Sequence, residues 1–231
     1  MLNKQGPGKI DYCNFTWNPI SGRCLHNCPY CYMYALWRRF PEMAKHQLKE
    51  KYLADKFPKK PSKIFVGSST DMWGDWVDGD WIKKVLKKIE ENPQHIFQFL
   101  TKNPMRYGDF DLSLFDNCWC GTTFDGTDNT IDNIANLIIH ANCNLKFVSF
   151  EPLIEKPIID SCHDFSKLGW VIIGADSTRG AKKPPKEWAD LLISWCGQDN
   201  IPVWVKDNYG YPETIKEFPR LKGENPKGEI K

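Results

Sequence analysis

Short apolar runs rich in β-branched and aromatic residues recur along the chain at 63–67, 95–100, 117–121, 146–150, 170–174 and 201–205. Polar or glycine-containing residues follow most of them. A continuous apolar run bounded in this way predicts a strand buried on both faces. Between the runs, apolar residues return every third or fourth position: Trp81, Ile82, Val85, Leu86 and Ile89; Ile131, Ile134, Leu137, Ile138 and Ile139; Trp188, Leu191, Leu192 and Trp195. That spacing predicts helices with one buried face. A further strand is expected within 10–17. Regular alternation of strand and helix predicts parallel βα units, and six or more of them predict an α/β fold built as a parallel (β/α) barrel, partial or complete. In such a fold the functional residues lie on loops after the C-terminal strand ends.

At 231 residues, 41% hydrophobic and 26% charged, the chain is expected to form one domain over 1–231, with a short poorly ordered tail from about 220. Lys and Arg number 31 against 29 Asp and Glu, so no global field advertises a nucleic-acid partner. The lysine-rich stretch 45–63 also carries Glu50 and Asp55 and reads as a solvated surface. No apolar run has membrane-spanning length. Nine cysteines without a charged-then-apolar leader predict a reducing, cytoplasmic setting.

Cys24, Cys28 and Cys31, spaced C-x3-C-x2-C, carry the most specific chemistry. A [4Fe–4S] cube normally takes four thiolates, so a compact set of three leaves one iron with an open position. Two other arrangements share the spacing. Three thiols on one helix face would pack in a core, although Pro29 opposes a helix through all three. A tetrahedral zinc site would recruit His26 or Cys13 as a fourth ligand and act as a closed binding module. A helix beginning near Pro29 would place its amides toward Cys28 and Cys31 and favour their thiolates. An iron–sulfur electron carrier would want a fourth thiolate nearby.

The cysteine run, with Tyr30 just before the third cysteine, resembles the signature of the radical SAM superfamily. The resemblance implies that S-adenosylmethionine chelates the open iron, that Tyr30 lies against the adenine, and that reduction releases a 5′-deoxyadenosyl radical. It also implies an electron donor such as flavodoxin or ferredoxin.

The predicted strand ends supply further candidates. Ser68, Ser69, Thr70 and Asp71 could hold the amine of a bound methionine moiety, or make an ordinary turn. Lys102 beside Pro104 reads as a solvated lysine or an anion anchor. Thr123 and Asp125 could contact ribose. Glu151, leaving a buried strand before Pro152, is a candidate catalytic carboxylate. Asp176 after Gly174 could accept from a ligand hydroxyl or cap a turn, and Lys206 could anchor a carboxylate or phosphate. Cys118 and Cys120 share a strand face and could bind metal or pack.

The ordered set Thr16-Trp17-Asn18-Pro19, the three cysteines, Phe99 to Lys102, Trp119-Cys120-Gly121, Phe147 to Leu153, Trp170 to Gly174 and Val205-Lys206 resembles a small, phage-associated, largely uncharacterised family of radical-SAM-like proteins. That resemblance implies a partial or complete (β/α) barrel with one [4Fe–4S] cluster and S-adenosylmethionine. Its phage association hints at nucleotide, nucleic-acid or translation-related modification. Two departures stand out: relatives carry a glutamate-bearing turn where this chain has Asp176, and apolar residues at Cys118 and Cys120.

Overall fold

The computed structural model describes residues 2–6, 8–158 and 164–220. Strand β1 (Leu2–Lys4) pairs antiparallel with β2 (Phe15–Trp17), and a two-stranded ribbon joins β3 (Ile20–Ser21) to β4 (Gln47–Leu48). The six apolar runs then become β5 (Lys63–Val66), β6 (Ile96–Thr101), β7 (Cys118–Thr123), β8 (Leu145–Phe150), β9 (Trp170–Ile173) and β10 (Val203–Val205). They join β2 in one sheet of order β1-β2-β5-β6-β7-β8-β9-β10, parallel except at β1. Among the described residues no pairing joins β10 back to β1 or β2, so the ladder keeps two edges. The fold is therefore α/β with a mostly parallel sheet, and closure into a complete barrel is not seen.

Helices α1 (Met33–Arg39) and α2 (Glu50–Leu53) lie between β3 and β5, while α3 (Gly79–Glu90), α4 (Asn133–His140) and α5 (Lys186–Gln198) cross over between parallel strands. Asp78 caps α3, its side chain accepting from the Asp80 amide at 2.8 Å. The helix buries Ile82, Val85, Leu86 and Ile89 and leaves its lysines in water. Helix α4 begins later than its apolar periodicity, because Asp128–Thr130 forms a 3-10 turn that brings the Thr130 hydroxyl to Asp125. Helix α1 also begins later than expected, at Met33 rather than near Pro29. Residues 28–31 form a turn instead, with the Cys31 amide donating to the Cys28 carbonyl at 3.0 Å.

Period-two alternation divides the sheet into two apolar faces. One packs on the helices and holds Ile64, Val66, Phe97, Phe99, Cys118, Cys120, Val148 and Phe150. Cys118 and Cys120 are thus core side chains there, and Cys120 faces Cys143. The other face carries Phe65, Trp119, Phe147, Trp170, Ile172 and Trp204, joined by Tyr12 and Cys13 from the chain ahead of β2. Tyr12 meets Trp170 edge-on at 5.6 Å between ring centroids, and Trp119 meets Trp170 at 5.7 Å. This aromatic layer leaves no room for side-chain growth above it: a Cβ on Gly121 would lie 2.3 Å from the Phe147 ring. No described helix is long and apolar enough to cross a membrane. Cys162 and the expected tail beyond 220 lie outside the described residues.

Candidate active site

Above the aromatic layer, the loops after β3, β5, β6, β7 and β8 enclose a cleft of about 250 Å³. Cys24, Cys28 and Cys31 line it together with Tyr30, Ser68, Ser69, Thr123 and Glu151. Phe65 and Leu100 carry its wall down to the aromatic layer. All three loop cysteines are half-buried and free. Burial pushes the Cys24 thiol up to about 11. It raises Cys28 as well, against the pull of the Lys102 charge and the nearby Tyr30 hydroxyl. The expectation that helix amides lower these thiols fails for Cys28, because the helix begins five residues beyond it and burial dominates.

The cysteine loop is tied to the strand ends at several points. His26 Nε2 donates to Asp71 Oδ2 at 2.8 Å, and its ring stands edge-on to Trp76 at 4.9 Å between centroids. The Tyr30 hydroxyl donates to Asp125 Oδ2 at 2.5 Å. Tyr32 donates to the Ser68 carbonyl at 2.6 Å. Asn18, from the Thr-Trp-Asn-Pro segment, receives the Ser69 amide at 3.3 Å and exchanges hydrogen bonds with the Ser68 hydroxyl.

Lys102 is not the solvated lysine that its proline turn suggests. Its side chain is 15% exposed, its Nζ donates to Asp125 Oδ2 at 3.2 Å, and it stands 5.3 Å from the Tyr30 ring centroid. Burial alone would raise the Asp125 carboxyl. The Lys102 charge and the hydroxyls of Thr127, Tyr30 and Thr130 outweigh it and hold the group well below the usual carboxylate range.

Glu151 and Lys206 form an ion pair at the ends of β8 and β10. Lys206 also stands 5.8 Å from the Tyr12 ring centroid, so it rests on the aromatic layer rather than in bulk water. Gly174 makes the pair possible, since a Cβ there would lie 2.9 Å from Glu151 Cδ. Asp176 is different: its carboxylate accepts from the Thr178 amide at 2.7 Å in a turn and does not line the cleft.

The structure also decides which donors stand beside the three cysteines. Nε2 of His26 is occupied by Asp71. Cys13 is buried in the aromatic layer, its thiol 3.6 Å from the Ile10 carbonyl, and is not among the cleft residues. Among the described residues no three His, Cys, Asp or Glu side chains converge on a point that could hold one metal ion. Thr70 adds a buried hydroxyl that lines the cleft and has no protein partner. The donor set fits a three-thiolate cluster beside a polar ligand.

Sequence reasoning missed the roles of Asn18, His26 and Asp71. Asn18 and Asp71 sit in segments that had drawn attention, but nothing local reports a partner 45 or 50 positions away.

A family profile described as "Protein of unknown function (DUF5131)" matches residues 7–230. The chain belongs to the DUF5131 family. No curated protein sequence matches it. Among solved structures, this DUF5131 chain is similar to a spore photoproduct lyase mutant with bound AdoMet and dinucleoside spore photoproduct, with TM-score 0.55 and 12% identity over 89% of this chain and 78% of that one. It is also similar to spore photoproduct lyase complexed with dinucleoside spore photoproduct, with TM-score 0.54 and 11% identity over the same shares. At such identity the likeness establishes the shared fold.

Proposed function

We propose that this DUF5131 protein is a radical SAM enzyme, with Cys24, Cys28 and Cys31 holding a [4Fe–4S] cluster and the adjoining cleft taking S-adenosylmethionine. One observation carries the reading: the three loop cysteines open onto the same cleft as Ser68, Ser69, Thr70 and Thr123. A fold relative with bound AdoMet supports it. When bound, the cluster supplies the electron that cleaves the sulfonium to a 5′-deoxyadenosyl radical. The chain's own residues bind and orient. The Ser69 and Thr70 hydroxyls offer hydrogen bonds to the amino-acid end of the ligand, Thr123 offers one to its ribose, and Tyr30 offers an adenine contact. Glu151 meets the substrate from the cleft wall and can hold a proton, and Lys206, its ion-pair partner behind that wall, is the cation available to an anionic group. The aromatic layer beneath excludes water from that floor.

The substrate class we favour is nucleotide or nucleic acid. Support comes from the dinucleoside carried by the fold relatives and from the phage-associated resemblance, with a flavodoxin or ferredoxin as the electron donor. A closed zinc module that recruits Cys13 is disfavoured by the burial of that thiol in the aromatic layer, outside the cleft. An electron carrier is disfavoured because no fourth described cysteine lines the cleft. The test is anaerobic incubation of reconstituted, dithionite-reduced protein with S-adenosylmethionine. The reading expects 5′-deoxyadenosine and methionine from the wild type and none from Cys28→Ala. A cluster-loaded wild type that leaves S-adenosylmethionine intact would refute it.

A further inference from the structure

Two carboxylates that bond the cysteine loop belong to different strand ends, yet one short segment joins them. Asp71, after β5, accepts at Oδ2 from His26 at 2.8 Å, from the Thr101 hydroxyl at 2.7 Å and from the Lys102 amide at 3.0 Å. Its other oxygen accepts from the Trp73 amide at 2.9 Å. Asp125, after β7, accepts from Tyr30 and Lys102 at Oδ2 and from Thr127 and Thr130 at Oδ1. Thr101 and Lys102, at the end of β6 between these strands, therefore fasten Asp71 through the Thr101 hydroxyl and the Lys102 amide, and Asp125 through the Lys102 ammonium. The loop side chains that reach them, His26 and Tyr30, flank Cys28 on either side in sequence.

From this the geometry points to a two-point clamp: Asp71 and Asp125 are positioning residues that grip His26 and Tyr30 and hold the cysteine loop in its ligating arrangement before any metal arrives. Both carboxylates are buried and fully partnered, so they are rigid fixtures of the sheet rather than mobile surface groups. The loop itself has little regular structure: between Ser21 and Met33 no helix or strand forms, and Asn27 adopts a left-handed conformation with φ 53°. Without the clamp, the eleven residues 22–32 would have to be ordered at the moment of cluster assembly, and the entropy of ordering would oppose it. That the held arrangement serves ligation rests on the proposed function, while the grip on the loop stands whether or not a cluster forms.

The loop-side partners give the cleaner test. His26→Phe keeps a ring against Trp76, Tyr30→Phe keeps the ring under Lys102, and each leaves its carboxylate with its remaining donors. Apo protein is treated with iodoacetamide, and alkylation of each cysteine is followed by mass spectrometry. The H26F/Y30F protein is expected to alkylate Cys24 and Cys28 about tenfold faster than wild type, with singles near threefold, since each lost charge-assisted bond releases part of the loop. The core thiols Cys118, Cys120 and Cys196 should stay protected, and His26→Gln, whose amide can donate to Asp71, should restore most of the protection lost in His26→Phe. Equal rates in wild type and double variant would overturn the clamp. So would a parallel rise at the core thiols, which would assign both bonds to global stability. If the expected rates appear but the wild type retains no iron on reconstitution, the clamp stands and the proposed function fails.

Discussion

Replacing Lys206 by Met leaves Glu151 in its pocket without a counter-charge. Their side chains are 12% and 18% exposed, so solvent screens the pair only in part. Breaking a fully buried pair costs about 3–5 kcal/mol, and an exposed pair is worth about 0–1 kcal/mol. We expect K206M to lose about 2–3 kcal/mol, a Tm decrease of roughly 4–12 °C for a chain of this size. Methionine preserves the stem, so the loss reports charge and the contact with Tyr12 rather than a cavity. Adding Glu151→Gln to K206M should recover most of that loss. The two substitutions should couple well beyond the ~0.5 kcal/mol scatter of independent sites. Urea titrations of the four proteins measure both the loss and the coupling. Additive effects, or a K206M protein as stable as wild type, would refute the placement of this pair.

Gly121→Ala should destabilise by about 1–3 kcal/mol, because its Cβ would strike the fully buried Phe147 ring; an unchanged urea midpoint would contradict the aromatic layer. Gly174→Ala should displace the Glu151 carboxylate from Lys206, so it should lose stability comparable to K206M and its loss of S-adenosylmethionine turnover should match that of Glu151→Gln; full activity would argue against a role for the pair. Asp125 titrates lower in the folded protein than in the unfolded chain. The stability this contributes is present above the unfolded value near ~3.9 and is lost as pH falls through the folded value. Asp125→Asn should therefore flatten the acid limb of the stability–pH curve below about pH 4, and an unaltered limb would contradict the network drawn around it.

The parallel strands were legible because burial on both faces writes uninterrupted apolar runs, as in β7, where every residue is buried. Strand β1 was not, since Leu2, Asn3 and Lys4 form a mostly exposed edge with no apolar run to betray it. Whether the sheet closes is also unwritten: periodicity tells which residues face the core but not how the outer strands meet. At the site, the three cysteines were legible because their spacing is local. The environment of Lys102 was not, because a lysine beside a proline turn looks the same whether it meets water or, as here, Tyr30 and Asp125. Asp176 illustrates the reverse case, a carboxylate at a strand end whose own turn satisfies it.

Iron and acid-labile sulfide content after anaerobic reconstitution, with zinc offered in competition, tests the central claim most directly. The account predicts about four iron and four sulfide per chain in the wild type, as a cube requires, and loss of both when Cys24, Cys28 and Cys31 are replaced together. One zinc held tightly, with no iron retained, would contradict it.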